Sequence, residues 1–164
     1  MIITTGLLCA SSFVHGETVV IEPAGIQLER PSGAELIRKE EVKVEASNLC
    51  FPRIQSSQLG LIDCVMWRAA PSLEDALEVY LFRRKKHKFF EGEKFTEISR
   101  GKFKADSGIE GLEYRFDLTR NGNWITHLVQ YIFRNKKGEI VCLGGFGDLD
   151  QINKLVMKSL AYHP

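Results

Sequence analysis

His127 is the one histidine of this sequence that falls within a predicted strand. Its imidazole could act as a general base beside Cys142 or Glu113. However, the register set by the predicted hairpin turns places Cys142 on the opposite face of the sheet, which disfavours a His–Cys pair. We therefore predict that His127 is a half-buried residue packed against Phe116, and that Cys142 is a small core hydrophobe.

A basic run closes the first predicted helix and could bind phosphate, an acidic lipid surface or a protein partner. The run consists of Arg83, Arg84, Lys85, Lys86 and Lys88, and it is followed by Phe89 and Phe90. Across the chain, 22 Lys and Arg residues are matched by 21 Asp and Glu residues. Because there is no overall positive field, nucleic acid is an unfavourable partner. The alternative interpretation of the run is a solvated helix end.

The other candidate sites have simpler structural explanations. The glycine-rich segment 144–148 precedes a predicted helix whose N–H groups could hold an anion, but Asp148 would cap those groups itself. Trp67 and Trp124 are predicted to be packing residues. The sequence contains no CxxC pair and no P-loop, GxGxxG, HExxH or GxSxG motif. We therefore predict no catalytic residue, no metal ligand and no cofactor.

The first residues of the chain predict export. Residues 1–16 contain no Lys, Arg, Asp or Glu, whereas charge is frequent from Glu17 onward. The apolar stretch is too short to span a bilayer but has the length of a signal-peptide core, although a basic n-region is missing. We predict a signal peptide over residues 1–16 and a periplasmic or secreted mature chain. The alternatives are a lipoprotein acylated at Cys9 and an N-terminal segment that belongs to the fold.

Export makes Cys50 and Cys64 the candidate disulfide. Cys9 would leave with the signal peptide, and the three other thiols would enter an oxidising compartment. Cys142 is predicted to lie beneath a helix, while Cys50 and Cys64 flank a segment that suits a loop or loose hairpin. Closing a loop of about 15 residues would stabilise the fold by roughly 3 kcal/mol. The alternative is three buried thiols in a reduced protein.

Residues 17–164 are predicted to form a single α+β domain, since no repeat, linker or low-complexity tract divides them. Strands are predicted at Val19–Ile21, Ile26–Leu28, Val42–Val44 and Leu59–Trp67. A helix begins at Ser72, which heads a capping box, and a second helix follows Asp148 to the C-terminus. A charged loop is predicted over residues 88–111.

A three-strand meander is predicted near residues 111–119, 124–134 and 139–144. Asn121-Gly122 is a strong signal for a two-residue type I′ turn. That turn pairs Leu118 with Ile125, Phe116 with His127, Tyr114 with Val129 and Leu112 with Tyr131. A three-residue loop ending at Gly138 then places Phe133 opposite Val141. One face of the meander is apolar and the other is mixed, so helices are expected on both faces.

Several pieces of the sequence resemble the PsbP/DcrB-like superfamily. They are Gly25–Pro31, Pro71–Ala76, Gly111–Phe116, Tyr131–Phe133 with Gly138–Leu143, and Ile152–Leu160. The resemblance implies a small α/β/α sandwich, often exported in bacteria or found in thylakoid lumens. The family shares no catalytic residues, and its members mostly act as accessory or binding modules.

The leading hypothesis is therefore an exported, non-enzymatic accessory module that binds a protein partner or small ligand. One alternative is an enzyme whose site is assembled from dispersed residues. Another is a binder of anionic surfaces that uses the basic run Arg83 to Lys88. An enzyme should show converging polar groups in a pocket, whereas an anionic-surface binder should show steep salt dependence.

Overall fold

The computed structural model describes residues 16–42, 48–67, 70–86 and 92–164, and for Arg83–Lys86 it describes the backbone alone. Three predictions therefore fall wholly or mostly outside the described residues: the signal peptide, the strand at Val42–Val44 and the side chains of the basic run. Among the described residues, neither helix combines the length and apolar character needed to cross a bilayer.

The described residues form ten strands and two α-helices. The strands are β1 (Thr18–Ile21), β2 (Ile26–Glu29), β3 (Glu35–Ile37), β4 (Leu49–Ser56), β5 (Gly60–Trp67), β6 (Glu93–Lys104), β7 (Glu110–Arg120), β8 (Asn123–Arg134), β9 (Ile140–Gly147) and β10 (Ala161–Tyr162). The helices are α1 (Leu73–Lys86) and α2 (Leu149–Ser159). Seven strands pair in the order β3-β4-β5-β9-β8-β7-β6, and a small sheet has the order β1-β2-β10. Every pairing is antiparallel, so the predicted α+β class with an antiparallel sheet is confirmed.

Both helices begin at the predicted caps. The Ser72 hydroxyl accepts a hydrogen bond from the backbone N–H of Asp75 at 3.0 Å. Asp148 accepts hydrogen bonds from the backbone N–H groups of Asp150 and Gln151, both at 3.1 Å. These side chains satisfy donors that the first helical turn leaves without partners, which is why each helix begins where it does.

The buried residues form two hydrophobic cores, and β8 contributes to both. Leu128 and Ile132 pack in the core that contains the α1 residues Ala76, Leu77 and Tyr80. Val129, Tyr131 and Phe133 pack in the core that contains the buried α2 residues and the small sheet. Because successive strand residues point to opposite sides, this alternation gives β8 two apolar faces.

The second hairpin of the meander follows the predicted register. Gly138 has a φ of 77°, the left-handed conformation that its place in the loop requires. Phe133 lies opposite Val141, and Tyr131 lies opposite Leu143. The position of Gly138 therefore sufficed to align β8 with β9.

The register predicted for the first hairpin is wrong by one residue. Asn121 and Gly122 have positive φ values of 50° and 81°, as a type I′ turn requires. Thr119 pairs with Trp124, but the next pair joins Leu118 to Thr126. The intervening residue of β8, Ile125, is the extra residue of a β-bulge. Beyond it the pairs are Asp117 with His127, Phe116 with Leu128, Tyr114 with Gln130 and Leu112 with Ile132.

One strand occurs where the sequence predicted a loop, and a regular hairpin occurs where it predicted a loop or loose hairpin. The predicted loop 88–111 contains β6, a 12-residue edge strand of which most side chains are exposed. The segment between Cys50 and Cys64 is a hairpin of β4 and β5, and Cys50 is the direct cross-strand partner of Cys64. The structure records both as free thiols, so the predicted disulfide is not observed.

Candidate functional site

The tip of the β7–β8 hairpin exposes two large apolar side chains next to each other. Trp124 is 59% exposed and Ile125 is 45% exposed. The prediction that Trp124 is a packing residue is therefore wrong, whereas Trp67 is buried as predicted. We call Asp117, Trp124, Ile125 and His127 the hairpin surface.

His127 pairs with Asp117 instead of packing against Phe116. Its Nδ1 lies 2.8 Å from Oδ1 of Asp117, and the two side chains are 42% and 39% exposed. The one-residue shift at the bulge explains the difference, because it puts Phe116 on the opposite face of the strand pair. The Trp124 ring lies edge-on to the imidazole at 5.2 Å between centroids. His127 is half-buried as predicted, but its predicted packing against Phe116 is wrong.

The His127–Asp117 pair has part of the geometry of a general base. A carboxylate that accepts from Nδ1–H leaves Nε2 as the available ring nitrogen. Within the described part of the chain, the His127 imidazole has no hydrogen bond to a hydroxyl or thiol side chain, since the Thr126 hydroxyl donates to the backbone carbonyl of His127 instead. Cys142 is buried in the core under α1. The pair can orient a ligand through hydrogen bonds, but among the described residues no nucleophilic side chain is hydrogen-bonded to the imidazole.

A polar network farther along β7 and β8 joins α2 to the sheet. Arg115 Nε donates to Glu113 at 2.6 Å, and the Asn153 amide bonds Glu113 at 3.1 Å and the Tyr131 hydroxyl at 3.2 Å. Burial raises the pKa of Tyr131 well above its usual value. These contacts tie β7, β8 and α2 together two to four residues along the strands from the Asp117–His127 pair.

Sequence reasoning also missed a buried polar pair in the middle of the large sheet. Asp63 and Gln130 flank Gly144 on the strands to either side of it, and Gln130 is only 1% exposed. A Cβ on Gly144 would overlap Asp63 Oδ1 and would lie 2.7 Å from Gln130 Nε2. The available signal was one polar residue within each apolar run, Leu61–Trp67 and Leu128–Phe133. Burial keeps this pair from contacting a macromolecular partner.

Comparison with known proteins identifies the fold. No family model matches the chain, and no curated protein matches it. Among solved structures, the solution structure of cyanobacterial PsbP (CyanoP) from Synechocystis sp. PCC 6803 superposes with a TM-score of 0.63 at 12% sequence identity, covering 96% of this chain and 98% of that chain. The chain has a PsbP-like fold. The resemblance seen in the sequence is confirmed at this level, and the identity is low enough that it shows the fold alone.

The cysteines of this PsbP-like fold are all buried where they are described. A hydrogen bond from Cys64 lowers the pKa of Cys50, while the same contact and burial raise the pKa of Cys64. Burial raises the pKa of Cys142 to about 12. Cys142 thus fits its predicted role as a core hydrophobe, and Cys50 and Cys64 are the two neighbouring thiols.

The basic run lies at the C-terminal end of α1 in the PsbP-like fold. Arg83–Lys86 form the last turn of that helix, Lys88 lies outside the described residues, and Phe82 is exposed just before the run. No cluster of three or more His, Cys, Asp or Glu side chains that could hold a metal ion occurs within the described ranges.

Replacing His127 with glutamine is expected to change the free energy of unfolding by less than about 1 kcal/mol, because exposed ion pairs contribute little. Urea unfolding followed by circular dichroism measures the change, and Asp117→Asn is the matched variant of the other partner. A loss above about 2 kcal/mol in either variant would mean that the pair holds the hairpin together.

Proposed function

We propose that this chain is an exported, non-enzymatic accessory or binding module that contacts its partner through the hairpin surface. The observation that carries the proposal is the exposure of Trp124 and Ile125 together beside an oriented His127–Asp117 pair. Tryptophan is among the residues that contribute most to binding interfaces, because it offers a large apolar area and a hydrogen-bond donor. The PsbP-like fold supports the proposal only as an architecture that suits such modules.

The surroundings of the hairpin surface favour recognition over catalysis. The apolar side chains project from a strand tip, and Nε2 of the neighbouring imidazole and the Asp117 carboxylate supply hydrogen-bond acceptors. Binding surfaces combine a few apolar anchors with polar groups that fix the orientation of the partner. The polar network that links Glu113, Asn153 and Tyr131 limits the reorganisation needed on binding.

The expected result for a Trp124→Ser/Ile125→Ser double variant is a loss of at least about tenfold in retention by the envelope fraction of the native host. Retention is measured as the bound fraction of labelled full-length protein. Ile98→Ser is the matched control, because Ile98 is exposed to a similar degree on β6. Equal retention of the wild type and the double variant would contradict the proposal.

The enzyme hypothesis is the second candidate, and the His127–Asp117 pair is the observation that favours it. Such a pair could accept a proton from a bound substrate. It would need a substrate that brings its own nucleophile or a water molecule to Nε2.

We further propose the finer features predicted from the sequence. The two separate cores, one with α1 and one with α2, support an α/β/α sandwich. The uncharged residues 1–16 support a cleaved signal peptide, and export would place Cys50 and Cys64 where a disulfide can persist.

A further inference from the structure

The large sheet has one long edge that no described strand pairs with. This edge is β6, the last strand in the order β3-β4-β5-β9-β8-β7-β6, whereas β3 at the other edge has only three residues. β6 has 12 residues, and every residue from Thr96 to Lys102 is exposed. An edge strand presents a row of backbone N–H and C=O groups that another strand can bind. β6 is therefore the place where this sheet can be extended.

A β-bulge lies at the midpoint of β6. Glu97 pairs with Phe116 and Ser99 pairs with Arg115, so Ile98 is the extra residue. A bulge normally protects an edge strand, because it bends the strand and twists the edge away from other chains. Two copies of the same bulge can nevertheless meet at a twofold axis, where symmetry relates the two bends. The five residues before the bulge of one copy then run alongside the five residues after the bulge of the other.

The bulge also gives β6 a register in which it can pair with itself. Glu97 and Arg100 lie opposite Phe116 and Tyr114, which both belong to the core under α1, so both residues face that side of the sheet. Directly opposed residues of antiparallel strands point to the same face. Glu97 of one copy can therefore lie opposite Arg100 of a second copy. The same register then matches the faces of all other residues from 93 to 104.

The exposed charges at the middle of β6 are complementary in this register. Glu97 and Arg100 form an ion pair within one chain through two N–O contacts of 2.6 and 2.7 Å, which we call the central ion pair. The two side chains are 35% and 67% exposed, so another molecule can reach both. Two copies would place two central ion pairs around the axis, with each carboxylate beside two guanidinium groups. Opposite charges on directly opposed residues stabilise strand pairing.

The other opposed residues bring no like charges together. These pairs are Glu93 with Lys104, Lys94 with Phe103, Phe95 with Lys102, and Thr96 with Gly101. Like charges directly opposite each other would destabilise the pairing. The Glu93 carboxylate already bonds Arg120 at 2.9 Å and its side chain is only 4% exposed, so the two central ion pairs supply the main charge contact.

We propose that a second copy of this chain pairs antiparallel with β6, so that two seven-stranded sheets join across a twofold axis. Ile98, which is 51% exposed, would lie beside its counterpart at the axis. The bulge, the central ion pair and the exposed apolar residue all lie at the midpoint of the edge, where a twofold axis lets each contact its own counterpart. An unrelated strand would have to supply all three features, so the observations favour a second copy. The inference goes beyond the proposed binding function, because the hairpin surface contains no β6 residue.

Sedimentation velocity of the full-length protein over a range of concentrations tests this dimer. We expect the sedimentation coefficient to rise with concentration from that of a monomer to that of a dimer. Glu97→Arg and Arg100→Glu should each raise the dimer dissociation constant at least about tenfold, because each places like charges opposite each other twice. The double variant Glu97→Arg/Arg100→Glu restores both pairs in exchanged positions, and its dissociation constant should lie within about threefold of the wild-type value.

Matched variants separate the β6 edge from other surfaces. Lys137→Glu reverses an exposed charge in the loop between β8 and β9, and its dissociation constant should stay within about twofold of the wild-type value. Ile98→Ser should weaken the dimer and leave envelope retention unchanged. Trp124→Ser/Ile125→Ser should leave the dimer intact while it loses envelope retention. Circular dichroism of each variant checks that the fold is retained.

Three results would overturn the inference. The first is a protein that sediments as a monomer up to roughly 1 mM, the range of very weak association. The second is a double variant Glu97→Arg/Arg100→Glu that dissociates as readily as the single variants. The third is a dimer that Trp124→Ser/Ile125→Ser abolishes. If no dimer forms while Trp124→Ser/Ile125→Ser still loses envelope retention, the dimer is refuted and the proposed binding function stands.

Discussion

Replacing Gly60 with alanine is expected to destabilise the fold by at least about 4 kcal/mol or to prevent folding. Gly60 begins β5 with a φ of 99°, a conformation that L side chains rarely adopt. A Cβ there would overlap the backbone carbonyl oxygen of Phe146 on β9. Since that oxygen belongs to a strand paired on both sides, it cannot rotate away. Thermal and urea unfolding would measure the loss.

Gly101→Ala is the control for this prediction. Gly101 lies in the edge strand β6, and a Cβ there would have no heavy atom within 4 Å. We expect its free energy of unfolding to stay within about 0.5 kcal/mol of the wild type. An ordinary substitution changes the free energy of unfolding by about 1 kcal/mol. A Gly60→Ala protein whose free energy of unfolding lies within about 1 kcal/mol of the wild-type value would therefore contradict the described contact between β5 and β9.

Refolding the full-length chain with oxidised glutathione is expected to join Cys50 to Cys64. Directly opposed residues of antiparallel strands have Cα atoms about 4.5–5.5 Å apart, within the range that a disulfide spans. The two thiols lose two protons and two electrons, and glutathione disulfide is reduced to two glutathione thiols. We expect the bridge to raise the free energy of unfolding by roughly 3 kcal/mol.

Thiol titration in denaturant decides the outcome. The chain has four cysteines, so the count should fall to two, with Cys9 and Cys142 still reactive. The Cys142→Ala variant should gain the same stability on oxidation, whereas Cys64→Ala should gain none. A full count of thiols after oxidation, or a bridge that includes Cys142, would contradict the prediction.

Local signals were enough for the elements whose boundaries depend on one or two residues. The caps at Ser72 and Asp148 located both helices, and Gly138 fixed the alignment of β8 with β9. Asn121-Gly122 located the first turn as well. In each case the side chain or the glycine satisfies a backbone requirement of its own segment, which a sequence displays directly.

Features that depend on strand pairing could not be obtained in this way. Leu128 and Val129 are both apolar, so the sequence pattern accepts either register of β8 against β7. The edge strand β6 has charged residues on a largely exposed segment and resembles a loop in composition. Gln130 is the one polar residue of its apolar run, but only the strand pairing places it beside Gly144.

The candidate site was missed for the same reason. In the predicted register His127 faced Phe116, and its partner Asp117 lay on the other face. Because Ile125 is one extra residue in β8, His127 lies opposite Asp117 instead of Phe116, and the two side chains form the His127–Asp117 pair. A side chain in a strand changes its surroundings completely when the pairing shifts by one residue.

The bulge at Ile125 also separates the part of this hairpin whose sequence and length can vary from the part whose side chains are fixed by the core. Between the bulge and the turn, the type I′ turn sets the pairing of Thr119 and Arg120. From Leu118 toward Gly111, the packing of side chains in the core sets the register. A bulge can absorb an insertion or deletion of one residue at the tip, so Phe116 and Leu128 would keep their places. Lineages could therefore exchange the sequence of this tip, and with it the choice of binding partner, without redesigning the interior of the protein.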